Sequence, residues 1–260
     1  MTAKEIIDII ESRTPLEGKT CDTFKAGNPD KQVGKVAGSM FASIDNVKKA
    51  KEWGADMLVV HEPTYYQHYD EDIGSRIAER KKKIIEESGI VIYRYHDHPH
   101  AMSRESDMIT DGEIRALGLH GKLERLPDAA TFRLISDEPL TARGLAEKMK
   151  NDLGLSFVRV AGKTDQPSRN LALCFGTPPG LDKIIEDESL EIIMTGEINE
   201  WGLAERVRDV AAMGMNKSLI VMTHVGSERD GMKLFTERFF ELFPDIEVKY
   251  IECGEVYQTL

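Results

Sequence analysis

Cysteine is scarce in this sequence and carries no pattern. Cys21, Cys174 and Cys253 are odd in number, scattered and without CxxC spacing, so free thiols in a reducing compartment explain them best. No apolar run approaches the roughly 20 residues of a membrane-spanning helix, and no membrane partner is expected. Basic residues are in short supply, 34 against 45 acidic ones, for a net charge of −11. That excess is spread along the chain, which argues against nucleic acid or an anionic membrane as the main partner. Met1-Thr2-Ala3-Lys4-Glu5-Ile6-Ile7 has no apolar h-region and no small-residue cleavage pattern, so a cytoplasmic location is expected. Short repeats and low-complexity tracts are also missing.

What is present is an ordinary globular composition, 41% hydrophobic and 30% charged, long enough for one large or two ordinary domains. Thr2 and Glu5 stand in capping-box spacing before a helix over 2–13. Residues 18–32 read as loop, 33–39 as a strand, and 45–53 as a helix closed by Gly54. The apolar run Met57-Leu58-Val59-Val60 is a strand, followed by a charged helix over 73–88 and a strand over 90–95. A helix over 107–117 completes this half. Further on, strands are expected at 131–135, 157–160, 171–175, 190–194, 219–222 and 247–251, with helices over 141–153, 200–213 and 232–243. Strands alternating with helices at this spacing predict an α/β fold with a largely parallel sheet.

Three of the apolar runs stop at metal-capable side chains. Met57 to Val60 runs into His61-Glu62-Pro63, Ile90 to Tyr95 into His96-Asp97-His98-Pro99-His100, and Ser218 to Thr223 into His224-Val225-Gly226-Ser227-Glu228. Five of the seven histidines lie in these segments. Imidazole and carboxylate suit zinc, iron or manganese, and ligand sites in open α/β sheets form outside the carboxyl ends of strands. Each segment alone has a plain alternative: a turn-capping His61, a solvated histidine loop, an exposed His-Glu pair at a helix start. In an extended backbone His96, His98 and His100 line one face, whereas His224 and Glu228 share a face if a helical turn begins after Thr223.

Taken together, these segments resemble the NIF-three-like dinuclear metal-centre family, whose members are often named type-two-like GTP cyclohydrolases. The family's His-His-Pro strand end corresponds to His61-Glu62-Pro63, its His and later Asp to His96 and His100, and its Gly-His with a following Glu to Thr223-His224 and Glu228. Gly27-Asn28-Pro29-Asp30 and Thr195-Gly196-Glu197 resemble two further family segments. Glu62 stands where the family has a second histidine, His100 where it has an aspartate, and Asn199-Glu200-Trp201 where it has a His pair.

The resemblance implies two related α/β domains with mostly parallel sheets, a metal-binding domain of residues 1–125 plus 214–260 and an inserted domain of 126–213. The metal site would lie in the cleft between them, and the chains would form a homohexamer. It further implies two divalent metal ions, of zinc, iron or manganese, with His61, Glu62, His100, His224 and Glu228 as ligands. His96, His98 and Glu197 are the candidate catalytic residues. The function expected is that of a metal-dependent hydrolase acting on a small substrate (a nucleotide, phosphoester or cyclic amide). A non-catalytic metal-binding regulatory or scaffold oligomer is the alternative, and an HxH-type phosphoesterase built around His98 and His100 is a third reading.

Overall fold

The computed structural model describes residues 1–70, 74–101, 107–127 and 131–260. Its elements begin with α1 (Ala3–Glu11), β1 (Phe24–Ala26), β2 (Lys35–Ser39), α2 (Ile44–Trp53), β3 (Met57–Val60), α3 (Arg76–Ser88), β4 (Val91–Arg94) and the short turn α4 (Asp97–His100). Then come α5 (Met108–Ala116), β5 (Gly121–Arg125), β6 (Phe132–Leu140), α6 (Ala142–Asp152), β7 (Arg159–Gly162), β8 (Ser168–Cys174) and α7 (Leu181–Glu186). The chain ends with β9 (Ile192–Thr195), a π-helical turn (Glu200–Ala204) leading into α8 (Glu205–Ala212), β10 (Ser218–Val221), α9 (His224–Leu242) and β11 (Glu247–Tyr250). Ile73, the first residue of the helix expected over 73–88, lies outside the described residues. The elements sort into two compact units: unit 1 is Met1–Ser103 with Met232–Cys253, and unit 2 is Arg104–Gly231 with Gly254–Leu260.

In unit 1 a five-stranded sheet has the order β1-β4-β3-β2-β11, antiparallel at the β1 edge and parallel elsewhere. Every residue of β3 and β4 is buried, as expected of parallel strands covered on both faces. The helices start and stop where their caps dictate. Thr2 and Glu5 form the reciprocal capping box of α1, and Ser43 caps α2, whose chain turns at Gly54 with φ +84°, a conformation that glycine adopts without strain. Val47, Leu58, Val60, Ile85 and Ile92 pack in the core between sheet and helices. Because β3 and β4 are parallel and in register, Val60 opposite Arg94, His61 and His96 leave the sheet at the same edge.

The segment after β4 corrects one expectation. Residues 97–100 are a helical turn rather than extended chain, so His96 and His100, four apart, share a face and His98 does not. The cause lies 74 to 76 residues upstream. Oδ1 of buried Asp22 accepts the backbone N–H groups of His96 and Asp97 at 2.7 and 2.9 Å, and Oδ2 accepts that of His98 at 3.0 Å and contacts its ring Nδ1 at 2.6 Å. Three amides converging on one carboxylate is the arrangement of a helix N-terminus with its anion supplied by a remote loop. Burial pushes the Asp22 carboxyl up, but the bonds from His98 and the amides outweigh it and hold it below the ordinary aspartate range. Burial likewise lowers His98, yet the hydrogen bond and charge of Asp22 leave it raised.

Unit 2 is built on a six-stranded mixed sheet of order β5-β6-β8-β9-β10-β7. Its three central strands β8, β9 and β10 are parallel and end in register, with Cys174 beside Thr195 and Thr195 beside Val221; β5, β6 and β7 add antiparallel pairings. Phe132, Leu145, Met149, Leu171, Leu173 and Met222 share one core cluster. Helix α9 begins at His224 rather than at 232, because the Thr223 hydroxyl accepts the Gly226 N–H at 2.9 Å and its carbonyl the Ser227 N–H at 3.1 Å. At Gly112 and Gly231 α5 and α9 touch backbone to backbone: a Cβ on Gly112 would lie 2.4 Å from the Gly231 Cα, and one on Gly231 would lie 2.4 Å from the Ile109 Cα.

Two outcomes follow. Asp22→Asn should lower stability by about 2–4 kcal/mol, the range for breaking a buried charged network, as read by urea unfolding. It should also flatten the acid limb of the stability curve. With its depressed pKa, Asp22 contributes fully above the ordinary aspartate range and loses that contribution as pH falls through its folded-state value. An unchanged midpoint would refute the capping role. Gly112→Ala, which meets rigid backbone rather than a side chain that can swing away, should cost about 1–3 kcal/mol by the same assay.

Candidate functional site

Each unit carries its own group of metal-capable side chains. In unit 1, β3 delivers His61 fully buried, with Nδ1 3.1 Å from the carbonyl of Tyr95. A carbonyl only accepts, so that nitrogen holds the proton and Nε2 is left as the ligand atom. The rings of His96 and His100 lie 4.6 and 5.1 Å from that of His61 and 5.0 Å from each other. One nitrogen from each of the three falls within 4.8 Å of the others. Burial, then the two neighbouring rings, hold His61 well below the ordinary histidine pKa, so it offers a lone pair near neutral pH. His96 places Nδ1 2.8 Å from Asp97 Oδ1. Although burial opposes it, bonds from His96, Thr20 and the Cys21 amide keep Asp97 well below the aspartate range. A carboxylate on the far nitrogen of an imidazole is the usual support of a metal-binding histidine.

Glu62 is buried beside this group, with Oε1 4.0 Å from His61 Nε2 and Oε2 3.8 Å from the guanidinium of Arg94. Arg94 is itself fully buried. It donates from Nε to the His61 carbonyl at 2.9 Å and from Nη1 to the His68 carbonyl, so one cation fixes the backbone at two histidines. His98 stands apart from the three clustered rings: it is bound to Asp22 and stacks on Tyr95 at 5.7 Å.

In unit 2 the ends of β8, β9 and β10 supply Gly176-Thr177, Gly196-Glu197 and His224. His224 Nε2 lies 3.1 Å from Glu228 Oε2 one helical turn on, and its Nδ1 lies 3.1 Å from Glu197 Oε1. The Thr177 hydroxyl donates to that same Glu197 oxygen at 2.8 Å. With a carboxylate on each ring nitrogen, His224 suits either an imidazolium or a neutral ring that shares a cation with Glu228. Glycine makes room for this. Gly176 has φ +67°, and a Cβ there would sit 2.2 Å from Glu228 Oε1, while one on Gly196 would meet Ser227 Oγ at 2.5 Å. Ser227 accepts the Gly176 N–H at 3.0 Å, which ties the β8 turn to α9.

Thus His61, Glu62, His96 and His100 are neighbours in unit 1, and His224, Glu228 and Glu197 are neighbours in unit 2. Sequence reading missed Asp22, Arg94, Asp97 as a partner of His96, and Thr177. Of these only Asp97 had a local signal, its place between two histidines. Asp22 acts across 76 residues, and no spacing rule reaches that far. The donor sets of both groups, imidazole nitrogen with carboxylate oxygen, fit a borderline divalent cation.

The chain has relatives among known proteins. A GTP cyclohydrolase 1 type 2 homolog of Methanocaldococcus jannaschii is 32% identical over 267 residues, covering 95% of this chain and 98% of that protein. A protein of the same name from Clostridium perfringens is 22% identical and covers 98% of this chain and 97% of its own length. Among solved structures, a hypothetical protein of Staphylococcus aureus, SA1388, matches with a TM-score of 0.79 at 12% identity, covering 100% of this chain and 99% of that one. At that identity the match speaks for the fold. The family model Duf34/NIF3 (NGG1p interacting factor 3) matches residues 1–255. With nearly the whole length matched, this chain belongs to the Duf34/NIF3 family.

Proposed function

We propose that this protein is a metal-dependent hydrolase whose histidine and carboxylate side chains serve a pair of divalent cations. The observation that carries this reading is the imidazole group of unit 1, where one nitrogen from each of His61, His96 and His100 lies within 4.8 Å of the others and oxygen partners hold His61 and His96 in place. Putting three titratable rings together is costly unless they bind something or stay neutral. In this reading His61, Glu62, His100, His224 and Glu228 would be the residues that hold the cations. A pair of divalent cations supplies Lewis acidity and brings the pKa of a shared water toward neutrality.

The remaining roles fall to residues of this chain. Asp97 orients His96, which lies close enough to His61 and His100 to act as a ligand or to move a proton at Nε2. Glu197, bound to His224 Nδ1 and steadied by Thr177, positions His224. His98, engaged with Asp22, holds the α4 turn in place. The substrate is a small molecule with a bond open to attack by water; a nucleotide, phosphoester or cyclic amide has this chemistry, and the names of the relatives favour the first. A homohexamer, as implied by the family resemblance, belongs to the same proposal. A metal-binding scaffold without turnover is the second reading, favoured by Asn199-Glu200-Trp201 standing where related sequences have a His pair. Turnover abolished by a chelator and restored by one metal selects the enzyme, and bound metal without turnover on any substrate class selects the scaffold.

Folded His61→Ala, His224→Ala and Glu228→Ala proteins should each lose bound metal by elemental analysis; full metal content in all three would refute the ligand set. Glu197→Gln, which keeps the shape but weakens the hold on His224 Nδ1, should reduce metal affinity by about 10–100-fold in a chelator competition. An affinity equal to that of the unaltered protein would remove Glu197 from the positioning role.

A further inference from the structure

A second set of ligand-type side chains lies in unit 1 and includes none of the metal ligands assigned above, although its Asp97 also orients His96. Cys21, His68 and Asp97 each place one ligand atom within 4.8 Å of the other two. Cys21 is buried, and its Sγ lies 3.4 Å from Asp97 Oδ1. Their backbones are fixed as well. The Cys21 N–H and the Thr20 hydroxyl both donate to Asp97 Oδ2, at 3.0 and 2.7 Å. His68 projects from a loop in which Tyr66 and Asp70 adopt φ of +72° and +55°, a conformation costly for residues other than glycine. Asp70 compensates by accepting the N–H groups of Thr64 and Tyr65 at 2.8 and 2.6 Å, and Arg94 donates to the His68 carbonyl. The exposed imidazole is therefore carried on a backbone anchored to the interior.

The geometry points to a mononuclear site for a thiophilic divalent cation of the zinc type, formed by Cys21 Sγ, a ring nitrogen of His68 and Asp97 Oδ1, with solvent completing a tetrahedron. Ligand atoms around such an ion stand roughly 3.3–3.8 Å apart, given bonds of about 2.0–2.3 Å, so the Cys21–Asp97 pair is already at the right separation and His68 needs only a small approach. The Cys21 thiol carries a proton, and Asp97 Oδ1 at 3.4 Å and Asp22 Oδ1 at 3.7 Å are acceptors facing its Sγ. On binding, that proton leaves to solvent, an S–metal bond forms, and the cation takes its place between sulfur and carboxylate oxygen. Asp97 Oδ1 retains a second lone pair for His96 Nδ1, so the site adjoins the imidazole group through one carboxylate. The inference does not depend on the hydrolase reading, whose ligand set contains no sulfur.

Cobalt(II) separates the two. Thiolate ligation gives cobalt an intense near-ultraviolet charge-transfer band that imidazole and carboxylate cannot produce. Titration of the metal-free full chain under anaerobic conditions should develop this band, and zinc should bleach it. Cys21→Ser should abolish it. His68→Gln, an exposed position whose carbonyl still meets Arg94, should weaken the affinity behind it by about tenfold or more. Cys174→Ser, Cys253→Ser and His61→Ala should retain it. No band in the unaltered protein, a band that survives Cys21→Ser, or an affinity untouched by His68→Gln would each overturn the site. Loss of sulfur-free metal binding in His61→Ala, with the band intact, reports on the hydrolase ligand set alone.

Discussion

A single buried carboxylate decides the shape of the unit 1 site. Without Asp22 the chain leaving β4 would have three amides and no acceptor, and Pro99 offers no further N–H to help. With it, the chain turns helical at once, and the periodicity of the histidine segment changes from two to nearly four. That change selects His96 and His100 to join His61 and sends His98 away to seal the carboxylate from behind. The same aspartate closes a loop of more than 70 residues onto the strand end, so the fold and the ligand geometry of unit 1 rest on one set of hydrogen bonds.

Much of this architecture was legible in the sequence, and what was not shares one physical cause. The capping box at Thr2, the αL glycine at 54 and the buried runs of β3, β4 and β10 are local signals, and each marks an element within a few residues. The omissions depend on distant partners. β1, within the stretch read as loop, owes its existence to pairing with β4, and β5 to pairing with β6. The helix expected over 200–213 opens as a π-helical turn, with the Asn199 side chain accepting the Gly202 N–H at 3.2 Å, a departure that amphipathic periodicity does not encode. α4 is the plainest case: an HxHxH pattern reads as a strand face until an aspartate far upstream claims its amides. For the site, residue type pointed to the histidines and acids at the strand ends, but the Tyr95 carbonyl that meets His61 and the Thr177 hydroxyl that steadies Glu197 were invisible, because both are ordinary polar groups with no motif.

The two units reach similar chemistry by different routes. Unit 1 crowds its rings, and burial holds His61 among them well below the ordinary histidine pKa. Unit 2 brackets one ring between two acids and clears space by omitting side chains: Gly176 and Gly196 exist so that Glu228 and Ser227 can come close. A methyl group at either position would collide with the atoms that define the site, which explains glycine there more directly than turn geometry does.

Arg94 carries an implication of its own. It is a permanent positive charge enclosed next to the His61 group and held by two peptide oxygens with a distant hold on Glu62. Coulomb repulsion from such a neighbour scales linearly with the valence of an incoming ion, so it opposes a trivalent guest half as strongly again as a divalent one. Were the imidazole group to hold a cation as proposed, the guanidinium would favour ions of lower oxidation state without touching the metal.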